Sequence, residues 1–183
     1  MQELVGGVPV SDDGDVRHGW PVNVSNERVE LPNGKTLLID VVRHPGASAV
    51  VPFLSSDEVL LIRQFRHACD GTIFEVPAGK IDPGETPEVC ALRELEEEAG
   101  QRAGRLESFG PIWTSPGFTD ERIWLFAGHD LEAVEHRPED DEVIELVPMP
   151  LDDAIEMVWS GAIHDAKSAL ALLHAAHRLG RLG

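Results

Sequence analysis

One stretch, GKIDPGETPEVCALRELEEEAGQ (residues 79–101), narrows the possible folds more than any other. A turn rich in glycine and proline, Asp82-Pro83-Gly84-Glu85, leads into a helix expected from about Thr86 to Ala99. At about 100° per residue, Glu94, Glu97 and Glu98 stand at i, i+3 and i+4 and share one face, while Glu96 points elsewhere. On the opposite side Glu88, Ala91, Leu92, Leu95 and Ala99 form a mostly apolar stripe. The expectation is therefore a helix that packs on a sheet and turns three carboxylates outward. Two carboxylates about 4 Å apart repel by about 1 kcal/mol in water and by about 4 kcal/mol in a protein cleft. Three together call for a cation. An all-oxygen set without His or Cys suits Mg²⁺ or Mn²⁺ better than Zn²⁺. A run of Glu is more often a solvated surface. Here the preceding turn, Pro77-Ala78-Gly79, offers backbone carbonyls, Glu85 is close enough to approach the shell, and Arg93 lies at i, i+4 from Glu97, where it steadies that side chain.

The rest of the chain supplies the sheet. VNVSNERVEL and TLLIDVVR flank Pro32-Asn33-Gly34-Lys35, a glycine-bearing turn between alternating apolar stretches, which predicts a hairpin. Further strands are expected at ASAVVPFL, EVLLIRQF, TIFEVP, RLESFGPIW, RIWLFAG and VIELVPM. Two C-terminal helices follow: LDDAIEMVWS, stopped by Gly161, and one from about Asp165 with Ala169, Leu170, Leu173, Ala176 and His177 along one face. Many strands with interspersed helices predict a mixed sheet covered by helices.

Composition removes several classes of function. With 183 residues and 42% hydrophobic content, one domain with a proper core is expected. A formal charge of -18, from 33 acidic and 15 basic residues, disfavours nucleic acid as a partner. No apolar run approaches the length of a membrane span, and the N-terminus lacks the pattern of an export signal, so the expected compartment is the cytoplasm. Cys69 and Cys90 are too few for a zinc ribbon or a disulfide framework. His174 and His177 lack a third ligand and read as helix surface or packing.

Gly79, five residues, Glu85, seven residues and Arg93-Glu94-Leu95-Glu96-Glu97-Glu98-Ala99-Gly100 together resemble the Nudix box of hydrolases acting on nucleoside diphosphates linked to another group. The one departure is Gln101, where a bulky aliphatic residue is usual. The resemblance implies an α/β fold, a Nudix α/β/α sandwich with a mixed sheet over residues 46–183. It is preceded by an N-terminal β-hairpin region, residues 1–45, exchanged between chains of a homodimer. It also implies metal binding by Glu94, Glu97, Glu98 and the carbonyl of Ala78, with Glu94 and Glu98 in the catalytic set.

Outside the box, Thr114-Ser115-Pro116-Gly117-Phe118 resembles the Ser-Pro-Gly segment of the ADP-ribose pyrophosphatase branch. Ile62-Arg63-Gln64-Phe65-Arg66 and Phe74-Glu75-Val76-Pro77-Ala78-Gly79 also look like that branch. The likeness implies substrate contacts by Arg63, Glu75, Ser115, Pro116 and Gly117. It further implies a catalytic glutamate in the loop Arg137-Pro138-Glu139-Asp140-Asp141-Glu142. Counting back from Ile144, Glu142 and Asp140 match best, and Glu139 fits if the register slips. The branch's hairpin helps bind the nucleobase, and with no Tyr in the chain Trp20 is the first candidate to stack on it, Phe118 the second. The implied activity is Mg²⁺-dependent hydrolysis of ADP-ribose or a related nucleoside diphosphate sugar. The alternatives are another nucleotide (GDP-mannose, UDP-glucose or an oxidised nucleotide) or a domain that senses nucleotides without cleaving them.

Overall fold

The computed structural model describes residues 23–138 and 142–182; Trp20, Glu139, Asp140 and Asp141 lie outside the described residues. Strands β1 (Asn23–Glu30) and β2 (Thr36–Arg43) form the expected hairpin, antiparallel from Asn23 opposite Arg43 to Glu30 opposite Thr36. Its turn closes with the Gly34 N–H on the Leu31 carbonyl at 2.8 Å, and Gly34 sits at φ +78°, where a side chain would be strained. The loop Ser115–Glu121 joins this hairpin in one compact unit. Val42 N–H donates to the Phe118 carbonyl at 2.7 Å, and Arg43 binds Glu27 at 2.6 Å and Asp120 at 2.9 Å.

The second unit comprises Gly46–Thr114 and the described residues from Arg122 onward. Its elements are β3 (Ala47–Pro52), β4 (Glu58–Arg66), β5 (Gly71–Glu75), β6 (Ala78–Lys80), α1 (Pro87–Ala99), β7 (Gln101–Trp113), β8 (Arg122–Ala133), β9 (Ile144–Pro150), α2 (Leu151–Trp159) and α3 (Ala166–Arg178). A four-stranded sheet runs β6-β3-β8-β7, in which only β3 and β8 are parallel. A three-stranded antiparallel sheet runs β5-β4-β9. Alternation along β3 sends Ala47, Ala49 and Val51 into a core shared with Leu151, Ala154, Ala171 and Leu172 of α2 and α3. Val50 on the other face packs with Leu60, Ala91, Leu95, Ala99 and Phe126 beneath α1. Helices thus cover both faces of a mixed sheet, the expected α/β/α arrangement.

Three sequence expectations change. Ala78–Lys80, read as part of a tight loop, is the edge strand β6, paired through Gly79 with Ser48. Three residues with no apolar alternation carry no strand signal of their own. On α3 the buried face is Ser168, Ala171, Leu172, Ala175 and Ala176, rotated from the expected stripe; His177 is exposed and His174 stacks on Phe109 at 5.5 Å. Alanine and leucine occupy nearly every direction of that helix, so periodicity alone does not select a face. The third change concerns α1 and the site it carries. Among the described residues no helix is long and apolar enough to cross a membrane.

Candidate active site

Helix α1 is fixed at both ends. The Thr86 hydroxyl accepts from the Val89 N–H at 3.4 Å, Pro87 occupies the first turn, and Gly100 at φ +60° ends the helix. Ser48 on β3 donates to the Pro87 carbonyl at 2.7 Å. At the far end His136 Nε2 meets the Glu98 carbonyl at 2.8 Å, and the Arg137 N–H donates to the Glu97 carbonyl at 3.1 Å. Carbonyls that a helix C-terminus leaves unsatisfied thereby anchor the start of the acidic loop.

The carboxylates do not all face outward. The buried edge of α1 is Cys90, Ala91, Glu94, Leu95, Glu98 and Ala99; Glu88 is exposed and Leu92 half-buried. Glu94 is 8% and Glu98 1% exposed, whereas the Glu97 side chain keeps 36%. The expected acidic face is therefore split, with two members pressed against β6. Gly79 explains how the first fits: a Cβ there would lie 1.9 Å from Glu94 Oε1. Glu98 Oε2 accepts the Ala78 N–H at 2.7 Å, and its buried Oε1 has no partner among the described residues.

Arg93 braces the group. Its guanidinium donates to Glu94 at 2.6 Å, to Glu97 at 3.0 Å, to both oxygens of Glu85 at 3.0 Å and to the Lys80 carbonyl at 2.9 Å. With Oε2 of Glu85 also accepting the Asp82 N–H at 3.0 Å, Glu85 belongs to this brace.

Burial pushes the Glu98 carboxyl up to about 9, against the pull of the Ala78 N–H, with the Glu94 and Glu142 charges adding to the rise. Burial also lifts Glu94 to about 7 against the attraction of Arg93. The hydrogen bond from Arg93 holds Glu85 below the ordinary carboxylate value. Glu142, half-buried before β9, is thus within electrostatic reach of both buried glutamates. Among the described residues no three acidic, His or Cys side chains already converge on one point as metal ligands. The donor set still fits a hard divalent cation. It offers oxygen donors only, one of them a carboxylate oxygen buried without a partner among the described residues, and two of its carboxyl groups ionise at a cost until a positive charge arrives.

Beside this edge lies Glu75, 3% exposed. Its Oε2 accepts from Arg66 Nε at 2.8 Å and its Oε1 from Lys167 Nζ. Arg63 is not in this group. It sits opposite Phe74 on the other face of β4, its guanidinium 5.9 Å from the Phe74 ring centre and 3.2 Å from Glu145. Arg66, not singled out in the sequence, is the arginine that accompanies Glu75. The available signal was period-two alternation: Ile62 opposes Glu75, and Arg66 shares its face whereas Arg63 does not. Lys167 lies on α3, and no local pattern links it to β5. Ser115, Pro116 and Gly117 belong to the hairpin unit, in a turn where the Phe118 and Thr119 N–H groups donate to the Ser115 carbonyl at 3.1 Å; Phe118 is 58% exposed. Cys90 is no candidate nucleophile, since burial raises its thiol to about 11.

The NUDIX domain profile matches residues 42–171. The chain is 42% identical over 156 residues to the ADP-ribose pyrophosphatase of Bacillus subtilis, covering 84% of each. It is 40% identical over 152 residues to a GDP-mannose pyrophosphatase of Cronobacter sakazakii, covering 74% of this chain and 79% of that one. A solved structure described as an ADP compounds hydrolase shares the fold, with a TM-score of 0.77 at 22% identity over 91% of this chain and 92% of that one. A sheet between helices, a box helix with its carboxylates on the strand after Pro77, and a profile match across most of the chain lead to one assignment: the protein belongs to the NUDIX domain family.

Proposed function

We propose that this protein hydrolyses the diphosphate bond of ADP-ribose or a related nucleoside diphosphate sugar, giving a nucleoside monophosphate and a sugar phosphate, with Mg²⁺ or Mn²⁺ as cofactor. The observation that carries the reading is the buried edge of α1, where Glu94 and Glu98 lie against β6 with Glu98 Oε1 unpartnered among the described residues. Glu94, Glu97, Glu98 and the Ala78 carbonyl hold the cation. When bound, it lowers the pKa of the attacking water and screens the phosphoryl oxygens. Glu142 takes the proton from that water, with Glu139, Asp140 and Asp141 as the alternatives in the same loop. Arg66, aimed by Glu75, offers a cation to the diphosphate, and Arg63 contacts substrate from the other face of β4.

The hairpin region, residues 1–45, acts as a dimerisation and substrate-contact module attached to a catalytic domain of residues 46–183. In the homodimer, Trp20 and the Ser115-Pro116-Gly117 turn reach the nucleotide, and the enzyme works in the cytoplasm. A second reading, preference for GDP-mannose, is favoured by the likeness to the Cronobacter protein. A substrate panel with product identification decides. Release of AMP from ADP-ribose well above turnover of GDP-mannose and UDP-glucose supports the first reading, and the reverse order supports the second. Tight binding of ADP-ribose without product in Mg²⁺ or Mn²⁺ overturns both in favour of a sensor.

A further inference from the structure

Lys167 occupies a position that stability alone does not explain. It is the second residue of α3, after the N-cap Asp165 and the first helical residue Ala166, where a helix dipole disfavours a cation. Its side chain is only 13% exposed, and a buried ammonium carries a desolvation cost that an apolar side chain of similar volume avoids. Two carboxylates offset that cost: Asp165 Oδ2 at 3.0 Å and Glu75 Oε1. They raise the ammonium's pKa despite its burial, so it stays charged.

The partner it grips is the informative part. Glu75 is itself buried, and its other oxygen is held by Arg66 Nε at 2.8 Å. Arg66 is 38% exposed, within electrostatic reach of Glu98 and Glu142, and among the described residues its Nη atoms make no hydrogen bond. The same end of α3 holds the strand exit as well, since Ser168 Oγ accepts the Val76 N–H at 2.8 Å, two residues before Ala78 meets Glu98. A chain of contacts therefore runs from Asp165 through Lys167 and Glu75 to a guanidinium whose Nη atoms make no hydrogen bond among the described residues, beside the acidic edge.

We propose that Lys167 is a positioning residue for the diphosphate: by fixing one oxygen of Glu75, it makes the other a rigid rest that aims the Arg66 guanidinium at the anionic substrate. This rests on the pyrophosphatase reading above. Without Lys167, Glu75 is free to turn and Arg66 loses its fixed direction, which weakens ground-state binding more than the chemical step.

The test is a double-mutant cycle on the full chain with ADP-ribose and Mg²⁺. Lys167→Met is expected to raise KM about 10-fold while kcat changes less than about 3-fold, and Glu75→Gln to do the same. The double variant is expected to be no worse than Glu75→Gln alone, because Lys167 acts through Glu75. Lys167→Arg, which keeps the charge with a different geometry, should fall between wild type and Lys167→Met. An unchanged KM in Lys167→Met, or effects that multiply in the double variant, overturns the proposal, as a merely structural lysine would lower Tm without this coupling. Should Lys167→Met fail to fold, Lys167→Gln is read by the same cycle. If wild type binds ADP-ribose without hydrolysing it, the pyrophosphatase reading fails, and the cycle is run on Kd with the same criteria. If wild type neither binds nor cleaves ADP-ribose, GDP-mannose or UDP-glucose, both fall together. An active wild type with an indifferent Lys167→Met sinks the positioning role alone.

Discussion

Arg43 and Arg93 each gather carboxylates, and the outcome differs with burial. In the hairpin unit Arg43, 46% exposed, binds Glu27 and Asp120 at the surface, and its hydrogen bond holds Glu27 below the ordinary value. The backbone N–H of His44, and after it Arg43, does the same to Asp120. In the larger unit Arg93, 28% exposed, binds Glu85, Glu94 and Glu97. There the outcome splits, since Glu85 is lowered but Glu94 rises to about 7 because burial outweighs the arginine. Glu98, which among the described residues has no hydrogen bond from an arginine and one oxygen without a partner, rises further, to about 9. The surface cluster keeps its carboxylates ionised and hydrogen-bonded at the surface, as a staple does. The buried one is left short of positive charge, which is the property a cation site needs.

The largest expected effect breaks the buried cluster. Glu98→Gln should reduce Mg²⁺-dependent kcat at least ~100-fold. It should also leave the metal-free Tm within about 2 °C of wild type at neutral pH, because a carboxyl titrating near 9 is already protonated there. Full turnover by this variant would remove Glu98 from the catalytic set. Next, Gly79→Ala puts a methyl on the Glu94 carboxylate, which must move off β6. We expect a ~10- to 100-fold loss of kcat/KM and about 1–3 kcal/mol of destabilisation, read by urea unfolding.

A third prediction follows from the sign of the shifts. Glu94 and Glu98 titrate higher in the folded protein than in the unfolded chain, so the native state holds more protons between about pH 4.5 and 9. In EDTA, stability contributed by this pair is complete below that window and is lost as pH rises through it. Added Mg²⁺ should oppose the loss, with affinity that grows with pH and protons released on binding. A metal-free Tm that rises between about pH 6 and pH 9 would contradict the assigned burial. The smallest effect belongs to the surface cluster. Arg43→Ala should lower Tm by about a degree or less, and by still less at high salt. A large, salt-independent loss would show that the hairpin hub is more than an exposed staple.

Much of this was legible from residue order. The α1 boundaries follow from Thr86-Pro87 and Ala99-Gly100, the hairpin from Asn33-Gly34, and the grouping of Glu94, Glu97 and Glu98 from helical spacing. Strand β6 was not legible, because three residues that borrow their partners from β3 have no periodicity to display. Nor was Arg66 legible as the partner of Glu75, since that pairing depends on hairpin register and not on the motif that contains both arginines.

The sequence by itself determined which side chains share a face and which family the box resembles, because those follow from local periodicity and spacing. Only the tertiary structure decided that Glu94 and Glu98 are buried while Glu97 is not, and that Glu75 answers to Lys167, 92 residues away on another helix. Local geometry fixes a direction relative to one helix or strand. Desolvation and ion pairing depend on what packs against that direction, and here the packing comes from β6 and α3.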